Sequence, residues 1–143
     1  MLVWLRKFVN DAPAGKTLDS IGTIQAHLDF RRRLEDYVRG ESQKPLPVIA
    51  TCHAGCLLGK WLHGEGGRDC RDVDLINALC GSCEEFYEAA TNAVLLMEMG
   101  QHKTAEAALE SGGAISDASE RFQLNLAKLH HHIAVGAKSR FRA

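Results

Sequence analysis

Proline is scarce in this sequence, occurring only at Pro13, Pro45 and Pro47. The 96 residues after Pro47 (143 minus 47) can therefore run as helix wherever the apolar pattern permits. β-Branched alternation is also absent, which argues against a sheet. No apolar run approaches the ~18 residues of a membrane span. The apolar start, Met1 to Val9, is broken by Arg6 and Lys7 and has no cleavage site after it. These absences predict a cytoplasmic protein without a membrane partner. An excess of charge of either sign is missing too: the net charge is -1 and the pI about 6.6, so the electrostatic footprint of a nucleic-acid binder is not there. The five cysteines are an odd number without a secretory signal. A disulfide framework is not expected, and reduced, metal-bound or redox-active thiols are.

What is present is helical periodicity over a chain of one-domain length, enough to bury about two thirds of its unfolded surface. A first helix is predicted from an N-cap at Thr17 or Asp19 to about Arg39, with Leu18, Ile21, Ile24, Leu28, Leu34 and Val38 as its inward stripe and Gly40 ending it. His27 falls beside that stripe. A second, from about Val48 to His63, carries Cys52, His53 and Cys56, and the glycines at 64, 66 and 67 mark a loop that contains Cys70. A third, from about Val73 to Met99, places Ile76, Leu79, Cys80, Cys83, Phe86, Tyr87, Ala90 and Val94 at core spacing and stops at Gly100. A last helix, from about Lys103 to Ile133, carries Leu109, Ile115, Phe122, Leu126 and Leu129, with Ser111-Gly112-Gly113 as a bend or close contact. Short links between four helices predict an all-α fold, an antiparallel four-helix bundle. The bundle spans residues 17–135, behind a lead segment, 1–16, that could form a short docking helix, and ahead of a short basic tail, 136–143.

The candidate chemistry lies where cysteines meet His27. Zinc takes thiolate, imidazole and carboxylate ligands in a tetrahedron, so donors on three helices can converge on one ion. His27, Cys56 and Cys83 stand near inward stripes of three successive helices, with Cys80 or Tyr87 one turn to either side of Cys83. The competing reading is that free cysteines are small buried hydrophobes and a histidine beside an apolar stripe is a satisfied core residue. Trp61 reads as core filler, Gly59 as a close helix contact, Cys70 as a bystander, and His130-His131-His132 as a run at a helix end that meets the helix dipole. Cys80-Gly-Ser-Cys83 is not thioredoxin-like, for want of a βαβ context. It is not a c-type haem site either, since Glu84 follows Cys83. A di-iron site would need more His and carboxylate pairs than the helices carry.

The string Cys56-Leu-Leu-Gly-Lys-Trp-Leu62 resembles the cysteine motif of the chemoreceptor zinc-binding (CZB) domains. His27-Leu-Asp-Phe-Arg31 is similar to the family's first-histidine segment. Glu85-Phe86, Gly100, Ser119, Leu126 and Leu129 fall at comparable places. The resemblance covers roughly residues 17 to 133. It implies a bacterial four-helix bundle in which three histidines and a cysteine hold zinc, and in which zinc occupancy or oxidation of the zinc-thiolate by hypochlorous acid is passed on as a signal, in chemotaxis among other settings. The third helix departs from the family: its histidine pair is replaced by Cys83 and Tyr87. Phenol is a poor ligand at its usual pKa near 10, so Cys80 is expected as the fourth ligand of a Cys3His set with His27, Cys56 and Cys83, Glu84 or water being weaker candidates. The expected function is a zinc-binding sensory module, not an enzyme, that signals through a protein partner or a homodimer, as no output domain is recognisable. The alternatives are a helical interaction scaffold whose metal site is lost or structural, and a small metal- or thiol-dependent enzyme, for which no nucleophile and base can be assembled.

Overall fold

The computed structural model describes residues 18–42, 57–62, 64, 66–67, 70 and 72–141. The lead segment, the Pro45 to Pro47 link, and Cys52, His53 and Cys56 lie outside the described residues. Among the described residues there is no strand, and the chain is an all-α helical bundle. Among them, too, no helix is long and apolar enough to cross a membrane.

Helix α1 is Ser20–Val38. Asp19 is its N-cap: the carboxylate accepts from the Gly22 N-H at 2.9 Å, and the Thr23 hydroxyl donates to the Asp19 carbonyl at 2.6 Å. A Cβ at position 22 would meet the Asp19 carboxylate, which would have to shift to make room for it. At the other end Gly40 adopts a left-handed φ of 77°. The Gly40 N-H donates to the Tyr37 carbonyl at 3.2 Å, and the Glu41 N-H to Asp36 at 2.8 Å, which satisfies the last carbonyls in a Schellman arrangement.

The short α2, Leu57–Leu62, is the part of the expected second helix that is described. Helix α3 is Val73–Glu98, capped by Asp72, whose carboxylate accepts from the Leu75 N-H at 3.1 Å. It ends as α1 does: Gly100 has φ 77°, Gly100 N-H donates to Met97, and Gln101 N-H donates to Leu96. A non-glycine residue pays about 1–2 kcal/mol in that conformation. Gly100→Ala is therefore expected to lower unfolding stability by about that amount, read from the urea midpoint; an unchanged midpoint would mean that the turn does not need the left-handed residue.

The last expected helix is divided by the glycines, not merely bent. Helix α4 is His102–Ala107, and α5, Ala114–Phe141, starts after a turn. Gly112 there has φ 83°, the Ile115 N-H reaches back to the Ala108 carbonyl at 3.0 Å, and a Cβ on Gly113 would overlap the carbonyls of Ala107 and Ala108. Helix α5 also continues to Phe141, so His130 to His132 lie within it rather than at a helix end. The Ser20 hydroxyl is 2.8 Å from His130 Nδ1. Along α1 and α5 the contacts pair Ser20 with His130, His27 with Ser119, and Arg31 with Ser116; along α3 and α5 they pair Glu85 with Arg121 and Ser82 with Asn125. In both sets numbers rise on one helix as they fall on the other, so α5 runs opposite to α1 and to α3 along these contacts.

The buried side chains form two apolar clusters. One gathers Leu34, Val38, Phe86, Ala90, Val94, Leu109 and Ile115 with several alanines; the other gathers Leu18, Leu58, Trp61, Leu62, Leu79, Cys83, Phe122, Leu126 and Leu129. Burial of Trp61 and of the expected α5 stripe follows the periodicity. The α1 stripe follows it in part: Leu18, Leu34 and Val38 are buried and Ile24 packs against the second cluster, whereas Ile21 is 66% and Leu28 43% exposed. From Val38 and Leu34 by steps of three and four toward the N-terminus, the inward face passes through Phe30, His27 and Thr23, so polar residues take two of the buried places where Ile21 and Leu28 were expected.

Candidate functional site

His27 sits where the two clusters meet. Its ring lies between Phe86 of one, at a centroid distance of 4.4 Å, and Phe122 of the other, at 4.5 Å and nearly stacked. Only 8% of the residue is exposed. Burial chiefly, and the nearby Arg31 charge second, lower its pKa from 6.5 to about 4, so the ring is neutral near pH 7.

A cavity of about 60 Å³ opens beside the ring. It exceeds the ~10–15 Å³ that one water needs. His27, Cys83, Tyr87, Leu58, Thr23 and the walls Phe86 and Phe122 line it. An imidazole from α1 and a thiol from α3 thus border one pocket, and Leu58, two residues after Cys56 in the sequence, borders it too.

Of the four expected ligands, His27 and Cys83 are brought together at this cavity, and Cys56 lies outside the described residues. Cys80 is half-buried in the second cluster and is not in the cavity wall. Burial, and then the Glu84 carboxylate, push its thiol pKa up, which disfavours the thiolate that a metal takes. Glu84 itself is exposed. Tyr87, set aside in the sequence as a poor ligand, does line the cavity. Cys70 packs against the second cluster. Among the described residues, no three His, Cys, Asp or Glu side chains stand together in a way that could hold a metal ion.

On the other side of the ring is a hydrogen-bond network that periodicity did not reveal. His27 Nε2 lies 2.7 Å from the hydroxyl of Ser119, a residue with no exposed surface. Arg31 Nη1 and Gln123 Nε2 each donate to that same hydroxyl at 3.1 Å. Arg31 Nη2 donates to Ser116 at 3.3 Å, Ser116 donates to the Leu109 carbonyl at 2.7 Å, and Arg31 Nε pairs with Glu35 at 3.2 Å. One sequence signal was available: Ser116, Ser119 and Gln123 step by three and four along α5 between Ile115, Ala118, Phe122 and Leu126, a polar row on an otherwise apolar face. Compared with family models, curated proteins and solved structures, the chain matches none.

Proposed function

We propose that this chain is a zinc-binding sensory module of the kind the CZB resemblance implies. The observation that carries the reading is that His27 and Cys83, both buried side chains, line one cavity. Nitrogen and sulfur donors suit zinc, and a neutral imidazole has a lone pair to give. The donors present fit half of a tetrahedral site. On the resemblance, Cys56 supplies a third ligand, and Cys80, after a side-chain rearrangement that frees its thiolate, supplies the fourth; Tyr87 is its competitor. Bound there, zinc would cross-link the helices that carry its ligands and neutralise their thiolates. The chain's own part is to hold His27 by Ser119, keep bulk water out with Phe86 and Phe122, and pass a change in ligand occupancy or thiolate oxidation to a protein partner or a second copy of the chain.

Metal analysis of the purified protein is expected to find about one zinc per chain, as one four-ligand site requires. Competition against a chromophoric chelator is expected to show Cys83→Ala weakening zinc far more than Tyr87→Phe. Equal large losses would put Tyr87 in the coordination sphere. Absence of zinc, with Cys56→Ala leaving stability unchanged, would favour the scaffold reading. That reading has an observation of its own: with Ser119 on one nitrogen and aromatic rings on its faces, His27 is well housed without a metal.

A further inference from the structure

We infer that Ser119 is a positioning residue that fixes the tautomer of His27, with its hydroxyl donating to Nε2 and the ring's proton held on Nδ1. The consequence for zinc rests on the reading of His27 as a ligand; the assignment of the nitrogen does not. At 2.7 Å the contact to Ser119 is far shorter than a C-H···O approach of ~3.3–3.6 Å, so a ring nitrogen, Nε2, faces the hydroxyl. A serine hydroxyl has one hydrogen to give and two lone pairs to accept with. Arg31 Nη1 and Gln123 Nε2 can only donate, and both point at Ser119 Oγ. They fill its lone pairs and leave its hydrogen for His27. Nε2 is therefore the bare nitrogen of the neutral ring, and the ring's one proton is on Nδ1. Ser119 is not in the cavity wall, whereas the ring is, so the nitrogen left for a guest in the cavity is Nδ1.

This ties the site to the contact between α1 and α5. Donation of the Nδ1 lone pair to a divalent metal ion requires the ring's proton to move from Nδ1 to Nε2, with the ring neutral before and after. Ser119 must then accept from Nε2, and its own hydrogen turns elsewhere. Three donors would compete for two lone pairs, so one of the 3.1 Å bonds, from Arg31 or Gln123, has to lengthen. Arg31 also holds Ser116, so the displaced guanidinium is part of the bridge between the two helices.

Nitrogen-15 NMR of His27 in the chelator-treated full chain tests the assignment directly. The expected spectrum has a protonated Nδ1 and an unprotonated Nε2; Ser119→Ala loses that preference, and Ser119→Thr, which keeps the hydroxyl, retains it. A wild-type ring protonated on Nε2, a Ser119→Ala ring with an unchanged tautomer, or loss of the fold on chelation overturns the inference. The assigned tautomer without zinc binding leaves it standing and defeats the zinc reading instead.

Discussion

Acidifying the metal-free protein from about pH 6.5 to about pH 4 is expected to remove roughly 3 kcal/mol of folding stability through His27 alone. In the unfolded chain the imidazole takes up a proton near pH 6.5; in the fold it resists until about pH 4, chiefly because it is buried and secondarily because Arg31 is close. Between those values the unfolded state binds a proton that the native state does not, so stability falls as pH falls, and above about 6.5 the contribution is complete. Among the described residues, the groups around the ring offer no anion to offset the charge: Ser119 and Gln123 on α5, Cys83 and Tyr87 on α3, and Thr23 and Arg31 on α1 itself. Urea titrations across this window isolate the effect as the difference in slope between wild type and His27→Leu. Identical slopes would show that the ring is protonated as readily in the fold as outside it.

Phe86→Ala is expected to lose about 3–5 kcal/mol, the range for a fully buried aromatic. Its side chain is 1% exposed and meets His27, Phe30 and Tyr87 at centroid distances of 4.4, 5.9 and 5.6 Å. It also walls the cavity, so truncation enlarges an existing void that the neighbouring rings cannot easily refill, which favours the upper part of that range. Leu28→Ala, on the exposed side of α1, should stay within about 0.5 kcal/mol. Similar losses at the two positions would contradict the inward face of α1 described above.

The helices were legible because their ends carry strong local chemistry. Asp19 caps α1, and Gly40 and Gly100 end α1 and α3 where only a residue free of a Cβ penalty fits well. The α5 core was legible because Ile115, Phe122, Leu126 and Leu129 have no competing assignment. On α1, Leu18, Leu34 and Val38 follow their hydrophobicity into the core, but Ile21 and Leu28 do not, because Thr23 and His27 take buried places by finding hydrogen bonds there. Of the site, the spacing already set His27 and Cys83 near inward faces of their helices, and both line the cavity. The exclusion of Cys80 from the cavity wall was not visible in spacing, since i and i+3 share a helix face only approximately. Nor could spacing show that Ser119, Arg31 and Gln123 converge on one atom, because that depends on how α1 lies against α5.

The Ser119 cluster acts as a key that sets the axial position of α1 on α5. Apolar side chains on two helices can slide by one turn and still find other apolar side chains. Here a slip of one turn would carry His27 away from Ser119 and Arg31 away from Ser116, leaving buried polar atoms unmatched at about 1–3 kcal/mol apiece. A layer that contributes little net stability when matched thus penalises every neighbouring alignment, and the bundle's choice of one alignment rests on its few polar core residues rather than on its many leucines.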